Sequence, residues 1–511
     1  MPHHTCQNDG MGAQILISQS FRETRVARIE NDKLVEFFVE RRKEQNLVGN
    51  IYKGRVNRVL PGMQAAFVEI GLPKAGFLYA GNVQDNSRET IAHDELEEPS
   101  ENHRQVEPRK ISELVHEGES LLVQVLKEPM GTKGARLTGH ISIPGRFLVY
   151  LPHSQHLGVS RRIEEESERA RLKGIVDKHR PKQGGFIIRT VAEGARDKHI
   201  KDDMDYLVRS WGSIKKAADK IKKPGVAYSD LDLASKIIRD RVGDDVERIV
   251  VDDLELYKKI TKFVQTFLPR FKKRIEIHDK DKALFDLYGI ETEIARALER
   301  KVWLKSGGYI IIDETEALTT IDVNSGRFVG NRHLEDTILQ TNLEAVKETA
   351  YQIRLRNLGG IIVLDFIDMQ KQQNRERVHE MLIEELEKDP VKSNVLPISD
   401  LGLIEMTRKR TQESLRKKLM SSCTYCNGKG SVKSNETLAA QLIRACLKEA
   451  DMDGHQSPIL IVYCNPHLAE YFAEEDREAV EYIEKQSKAE LVIKADPNLH
   501  LEDYEIFCKD A

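Results

Sequence analysis

No apolar run in this chain is long enough to cross a bilayer. The longest, residues 361–364 and 459–462, fall far short of the ~20 residues that a spanning helix needs. Cysteine is scarce as well. Six in 511 residues do not make a disulfide framework. Neither charge is in large excess. With 79 Lys and Arg against 83 Asp and Glu, the net charge is −4. The molecule as a whole therefore does not advertise a nucleic-acid partner, and any such argument must rest on local patches. Residues 1–14 contain no apolar stretch, so no secretory signal is expected. The chain reads as soluble and cytoplasmic.

What is present is an ordinary globular composition, 40% hydrophobic and 32% charged. The length is too great for one core and implies roughly three or four domains. Residues 1–14 read as disordered, and residues 15 to about 40 as two strands with a turn at Asn31-Asp32. Short strands split by glycines between 48 and 78 suggest a small β-barrel. A polar insert at 84–110 interrupts it. Strand signals return at 120–126, 147–151 and 185–190, with a helix at about 164–178 between the last two. Residues 203–242 read as mostly helical, 245–300 as mixed, and 302–386 as alternating strand and helix. A basic helix is expected at 406–419, then a Cys- and Gly-rich turn and a small α/β tail at 433–511.

The strongest chemical signal is Thr319-Thr320-Ile321-Asp322-Val323-Asn324-Ser325-Gly326. On a strand, Asp322 and Asn324 share a face, opposite Ile321 and Val323. The second signal is the apolar run Gly360-Ile361-Ile362-Val363-Leu364 ending in Asp365, which reads as a buried strand. Residues 334–355 between them have helical periodicity. Strand, helix, strand in that order implies a right-handed crossover and parallel strands. Both acids then sit at the carboxyl end of the sheet, where open α/β sheets keep their sites. Neighbouring strands lie about 4.8 Å apart, within reach of one hard cation. All-oxygen ligation favours Mg²⁺ or Mn²⁺ over Zn²⁺, and such an ion activates water and offsets phosphodiester charge. Each acid taken alone would serve equally as a cap for the element that follows it. Asp368 is a weaker candidate on the same loop.

Cys423-Thr424-Tyr425-Cys426-Asn427-Gly428-Lys429-Gly430 has zinc-knuckle spacing. Zinc needs four ligands and this chain offers one such pair, so a second copy would have to supply the others. A redox dithiol and two inert thiols are the alternatives.

Phe67 and Phe77 in the barrel are candidates to stack on bases, or else to fill the barrel core. Lys127 and Lys133 suit a backbone phosphate, or else a solvated loop. Arg161 and the pair Arg189-Thr190 lie near strand ends and suit phosphate, or ion pairs with Glu164, Glu165 and Glu166. The basic run Arg408-Lys409-Arg410, with Arg416, Lys417 and Lys418, precedes the cysteines and suits an RNA backbone or an exposed helix face.

Together these motifs resemble the ribonuclease E/G endoribonucleases along nearly the whole length. The match covers Ala65-Ala66-Phe67-Val68, Gly76-Phe77-Leu78, Ser160-Arg161-Arg162-Ile163, Arg189-Thr190, Asp322 to Arg327, residues 359–369 and the Cys423/Cys426 pair. The resemblance implies a multidomain α/β fold. An RNase H-like base would comprise residues 15–47 and 235–297, with an OB-fold RNA-binding domain inserted at 48–139. A 5′-sensor region would follow at 140–234, a DNase I-like catalytic domain at 298–405, a basic helix and zinc link at 406–432, and a small C-terminal domain at 433–511. It further implies Mg²⁺ on Asp322 and Asp365, with Asn324 assisting. Arg189 and Thr190 would grip a 5′-monophosphate, helped by the Gly145 and Val149 backbone and by Arg161. Phe67, Phe77 and Lys133 would hold RNA. Cys423 and Cys426 would share Zn²⁺ with a second subunit, giving a homodimer or a higher oligomer. Thr424 stands where the family usually has proline. The chain ends without the long Arg-rich tail of some members. That likeness to the shorter branch implies cleavage of single-stranded, AU-rich RNA, in maturation of small-subunit ribosomal RNA and in mRNA decay.

Overall fold

The structure, a computed structural model, describes residues 12–42, 47–83, 110–129, 134–160, 163, 165–279, 281–326, 334–399, 401–452 and 458–510. The chain folds as two compact units, residues 1–418 and 419–511. Among the described residues no helix is long and apolar enough to cross a membrane.

Among the described residues the first unit holds four sheets. One is a meander of three strands, Ala13–Gln19, Glu23–Glu30 and Lys33–Arg41, extended in parallel by Val246–Val251 and then Ile275–Ile277. Helices Leu233–Arg241 and Leu254–Phe267 pack Ile237, Ile238, Ile260 and Val264 against Ile15, Ile17, Ile249 and Val251 of that sheet. The meander has three strands where the sequence pattern suggests two. The missed turn carries no Gly, Pro or Asn. The Ser20 hydroxyl closes it by accepting from Arg22 N and Glu23 N. The Asn31-Asp32 turn is a tight hairpin, with both residues at positive φ (50° and 59°). The first strand begins at buried Ala13, so Ala13 and Gln14 are ordered, against expectation.

The second sheet closes on itself. Strands Ile51–Leu60, Ala65–Glu69, Gly76–Tyr79, Arg136–Thr138 and Ser120–Lys127 pair in that order, and the last returns to the first. The result is a five-stranded, OB-like barrel filled by Val56, Ala66, Val68, Leu78, Val125 and Leu137. The expected polar insert, apart from Lys110, lies outside the described residues. Gly225–Tyr228 adds to the edge of the first barrel strand. The stretch expected to be mostly helical is thus helix Asp197–Lys220, this strand, then helix Leu233–Arg241. Pro224-Gly225 makes the break.

The third sheet has the order Leu157–Val159, Gly185–Ile188, Leu148–Leu151, Ile143–Pro144, with helices Glu166–His179 and Asp197–Lys220 on its apolar side.

The fourth carries the acids, and its elements are labelled here. They are β1 (Lys301–Trp303), β2 (Tyr309–Glu314), β3 (Leu318–Asn324), α1 (Leu334–Leu355), β4 (Gly360–Asp365), α2 (Gln372–Glu387), β5 (Ser393–Val395) and β6 (Leu403–Arg408). The strand order is β1-β2-β3-β4-β6-β5, with β3 and β4 parallel and the other pairs antiparallel. One face, with Ile310, Ile312, Ile321, Val323, Ile362, Leu364, Ile404 and Met406, packs on α1 and α2. The expected basic helix at 406–419 is for the most part something else. Residues 406–408 finish β6, and only Leu415–Leu419 is helical.

The second unit is a three-stranded sheet, order Glu490–Ala495, Pro458–Cys464, Tyr504–Asp510, under helices Asn435–Met452, Pro466–Glu474 and Arg477–Ser487.

Candidate active site and nucleic-acid interface

Strand alternation in β3 drives Ile321 and Val323 into the core and leaves Asp322 and Asn324 on the open face. In β4, Leu364 is buried and Asp365 is exposed. The parallel register sets Asp322 directly opposite Asp365. Asn324 Nδ2 donates to Asp322 Oδ2 at 2.8 Å, fixing one carboxylate oxygen. Partial burial, then the negative charges of Asp322 and Asp368, push the Asp365 carboxyl above the usual carboxylate range. Mutual repulsion of this kind is what a cation between two carboxylates relieves. The donor set is oxygen only and fits a hard divalent ion. Asp322 and Asp365 would hold it, and Asp368 lies three residues on. Among the described residues, no group of three or more His, Cys, Asp or Glu comes together for a metal. Among the described residues, the carboxylates that meet directly in register are Asp322 and Asp365.

The loop after Asp365 is held from the crossover helix. Asn342, fully buried on α1, donates from Nδ2 to Ile367 O (2.8 Å) and accepts from Ile367 N at Oδ1 (3.1 Å). Glu335, in the first turn of the same helix, accepts from Gln370 N, Lys371 N and Asn374 Nδ2. After Asn324 the chain turns through Gly326 at φ 61°, where a Cβ would lie 2.4 Å from Gly307 O. Only glycine fits there.

On the barrel, Phe67 and Phe77 face each other across paired strands, ring centroids 5.5 Å apart and edge-to-face. Both are half-buried on the outer face, so they do not fill the core. Tyr79 continues the row 4.4 Å from Phe77, with the Arg136 guanidinium 5.0 Å from the Tyr79 ring centre. Neither Tyr79 nor Arg136 was singled out by sequence pattern. Lys133 and Arg161 lie outside the described residues.

Arg189 Nη1 donates to Gly145 O (2.5 Å) and to Asp240 Oδ1 (2.8 Å). Its ion pair is with Asp240; among the described residues none joins it to Glu165 or Glu166, and Glu164 lies outside them. Burial pushes the Asp240 carboxyl up, but hydrogen bonds and charge from Arg239 and Arg189 hold it below the usual range. The Thr190 and Ser160 hydroxyl oxygens lie 2.9 Å apart. Gly145 N–H donates to Leu148 O, and its carbonyl accepts from Arg189. Val149 sits in register with Ile187 and Pro144. Asp203 braces this turn by accepting from Arg146 N, Phe147 N and Leu148 N.

Known proteins resemble this chain over both of its units. The pattern of the Ribonuclease E/G family matches residues 142–411, and that of the RNase E/G thioredoxin-like domain matches residues 422–509. Ribonuclease G of Salmonella typhimurium (strain SL1344) is 44% identical over 496 residues, 97% of this chain and 99% of that protein. The chain belongs to the ribonuclease E/G family. Ribonuclease G of Haemophilus influenzae is also 44% identical, over 91% of this chain and 92% of that protein. Ribonuclease E of the same organism is 33% identical over 95% of this chain but only 51% of its own length.

In the thioredoxin-like unit of this family member, Cys423 and Cys426 occupy a turn rather than the strand-to-helix junction of a redox dithiol. Asn427, Gly428 and Gly430 are all left-handed, and Gly430 N donates to Cys426 Sγ at 3.2 Å. Hydrogen bonds from the Cys426 and Tyr425 backbone, with the Cys426 thiol, hold the Cys423 thiol below the usual range. Within the basic run, Arg408 departs from both expected readings, while Lys409 and Arg410 are exposed. Arg408 is 3% exposed and its guanidinium binds Asp389, Asn357 Oδ1 and Leu358 O. Arg410 Nε donates to Gly359 O. These arginines brace the start of β4.

Proposed function

We propose that this chain is a metal-dependent endoribonuclease that hydrolyses phosphodiester bonds in single-stranded RNA. The observation that carries the reading is the pairing of Asp322 with Asp365 on adjacent parallel strands. The names of the relatives, Ribonuclease G and Ribonuclease E, agree with it. A bound Mg²⁺ or Mn²⁺ would supply Lewis-acid stabilisation and an activated water. The chain's own part is geometric. Asn324 orients Asp322, and the α1 side chains hold the loop that follows Asp365.

The finer assignments follow the family. Phe67 and Phe77, with Lys133, grip RNA by stacking and charge, and Tyr79 extends their row on the barrel. Arg189 and Thr190, with Arg161 and the Gly145 and Val149 backbone, form a sensor that stimulates cleavage of 5′-monophosphorylated, AU-rich substrates. Ribosomal RNA processing and mRNA decay are the settings. The meander sheet with residues 235–297 is the RNase H-like base, and the fourth sheet is the DNase I-like catalytic domain. Cys423 and Cys426 give two of four zinc ligands, and a second copy gives the others. The setting is cytoplasmic.

The test is cleavage of a short single-stranded RNA with and without a 5′-monophosphate, in Mg²⁺ and in EDTA. EDTA should abolish cleavage, and Asp322→Asn and Asp365→Asn should each remove at least ~10³-fold of activity while RNA still binds. Full activity in both variants would refute the reading. Binding without any cleavage by the native chain would instead favour an RNA-binding scaffold.

A further inference from the structure

The open face of the fourth sheet carries more than the acids. In the β1–β2 hairpin, Val302 and Leu304 pack toward the core, which turns Lys301 and Trp303 outward. Trp303 pairs with Tyr309, Tyr309 pairs with Asn324, and Ile311 pairs with Asp322. Directly paired residues share a face. Trp303, Tyr309, Asn324, Asp322 and Asp365 therefore stand on one surface across four adjacent strands. Trp303 is 63% exposed. Its ring meets Tyr309 edge-on at 5.4 Å, and the Lys301 ammonium lies 3.9 Å and 3.6 Å from the two ring centres.

An isolated exposed aromatic needs no explanation. This one differs in three ways. It is braced by a second ring, it carries a cation, and it shares a surface with the carboxylate pair. At about 4.8 Å per strand, Trp303 lies roughly 10 Å from β3, a reach suited to a nucleotide near the reacting phosphate. Aromatic rings take bases by stacking, and the adjoining ammonium favours the polyanion.

We propose that Trp303, backed by Tyr309 and Lys301, is a stacking platform for a base of the RNA close to the phosphate that is cut. Stacking accepts every base, so the platform sets affinity and the register of the strand rather than its sequence. The proposal rests on Asp322 and Asp365 being the catalytic pair.

Two measurements on the full chain test it. Trp303 is one of only two tryptophans, and the other, Trp211, is 8% exposed. In Asp322→Asn protein, a short single-stranded RNA should quench the exposed indole emission saturably. The same change should be absent from the Trp303→Ala, Asp322→Asn double variant. In the active enzyme, Trp303→Ala should raise KM about tenfold. It should leave kcat and the ratio of rates with and without a 5′-monophosphate near their native values, and Trp303→Phe should restore most of the affinity. Unchanged emission at saturating RNA, or an unchanged KM, overturns the platform. So does a Trp303→Ala chain of altered mass in solution, which would make this face an interface between copies. If Asp322→Asn protein cleaves normally, the catalytic reading itself has failed. If that variant is dead while Trp303 is silent, only the platform has failed.

Discussion

Single side chains set the chemistry here by fixing their neighbours. Asn342 makes both of its bonds to one residue's backbone, at Ile367, from a fully buried position. Asn342→Ala would leave a buried N–H and C=O without partners, which costs about 1–3 kcal/mol. A lowered urea midpoint is expected. Because the loop after Asp365 loosens, the Mg²⁺ concentration for half-maximal cleavage should rise as well. A midpoint shift with unchanged metal dependence would mean that Asn342 serves stability alone. The cysteines give a second test at this scale. Burial pushes the Cys446 thiol up to about 12 and the Cys464 thiol to about 11, while Cys423 is lowered. The thiolate is the nucleophile. In zinc-free protein at pH 8, iodoacetamide should modify Cys423 well before Cys446 or Cys464, as read by peptide mass spectrometry. Added Zn²⁺ should protect Cys423 and Cys426 together. Labelling of Cys423 that Zn²⁺ does not slow would count against the zinc link.

Among the elements, β3 and β4 were legible because their signals are local. Alternation placed Asp322 and Asn324 together, and an apolar run ending in an acid placed Asp365. Their direct register was not written in either segment, since it depends on the length and packing of α1. Asn342 and Glu335 went unread for a related reason. A polar residue in an amphipathic helix does not announce which loop it will meet. Trp303 and Tyr309 were also invisible as a pair, because their meeting depends on hairpin register. The misreading near 406 has a simpler cause. Ile404 and Met406 alternate with Glu405 and Thr407, a strand pattern, but the dense basic residues after them resembled a helix face. Arg408 then turned inward, where Asp389 satisfies its charge.

Across the first unit, the meander sheet and the acid-bearing layer are joined by charge. Arg354 of α1 donates to both oxygens of Glu30, at 2.8 Å and 3.0 Å. Burial alone would raise the Glu30 carboxyl, but Arg354 and then Arg28 hold it below its ordinary value. A carboxyl depressed in the folded state stabilises above its unfolded pKa, and that contribution is lost as pH falls through the folded value. Glu30→Gln should therefore lower stability by about 1–2 kcal/mol at pH 7. The gap between the two proteins should close as the pH is brought below the usual carboxylate range. Urea midpoints at several pH values measure this, and a gap independent of pH would show that the ion pair contributes nothing.

The closed barrel has a consequence for how such a molecule can vary. Val83 and Ile111, on either side of residues 84–109, are both anchored in the barrel core, and Gly139 N donates to Asn82 O beside the first of them. The distance between those two anchors is thus set by the barrel core and not by the residues that join them. A change of length between them leaves both anchors, and with them the aromatic row on the barrel wall, to be held by the same core.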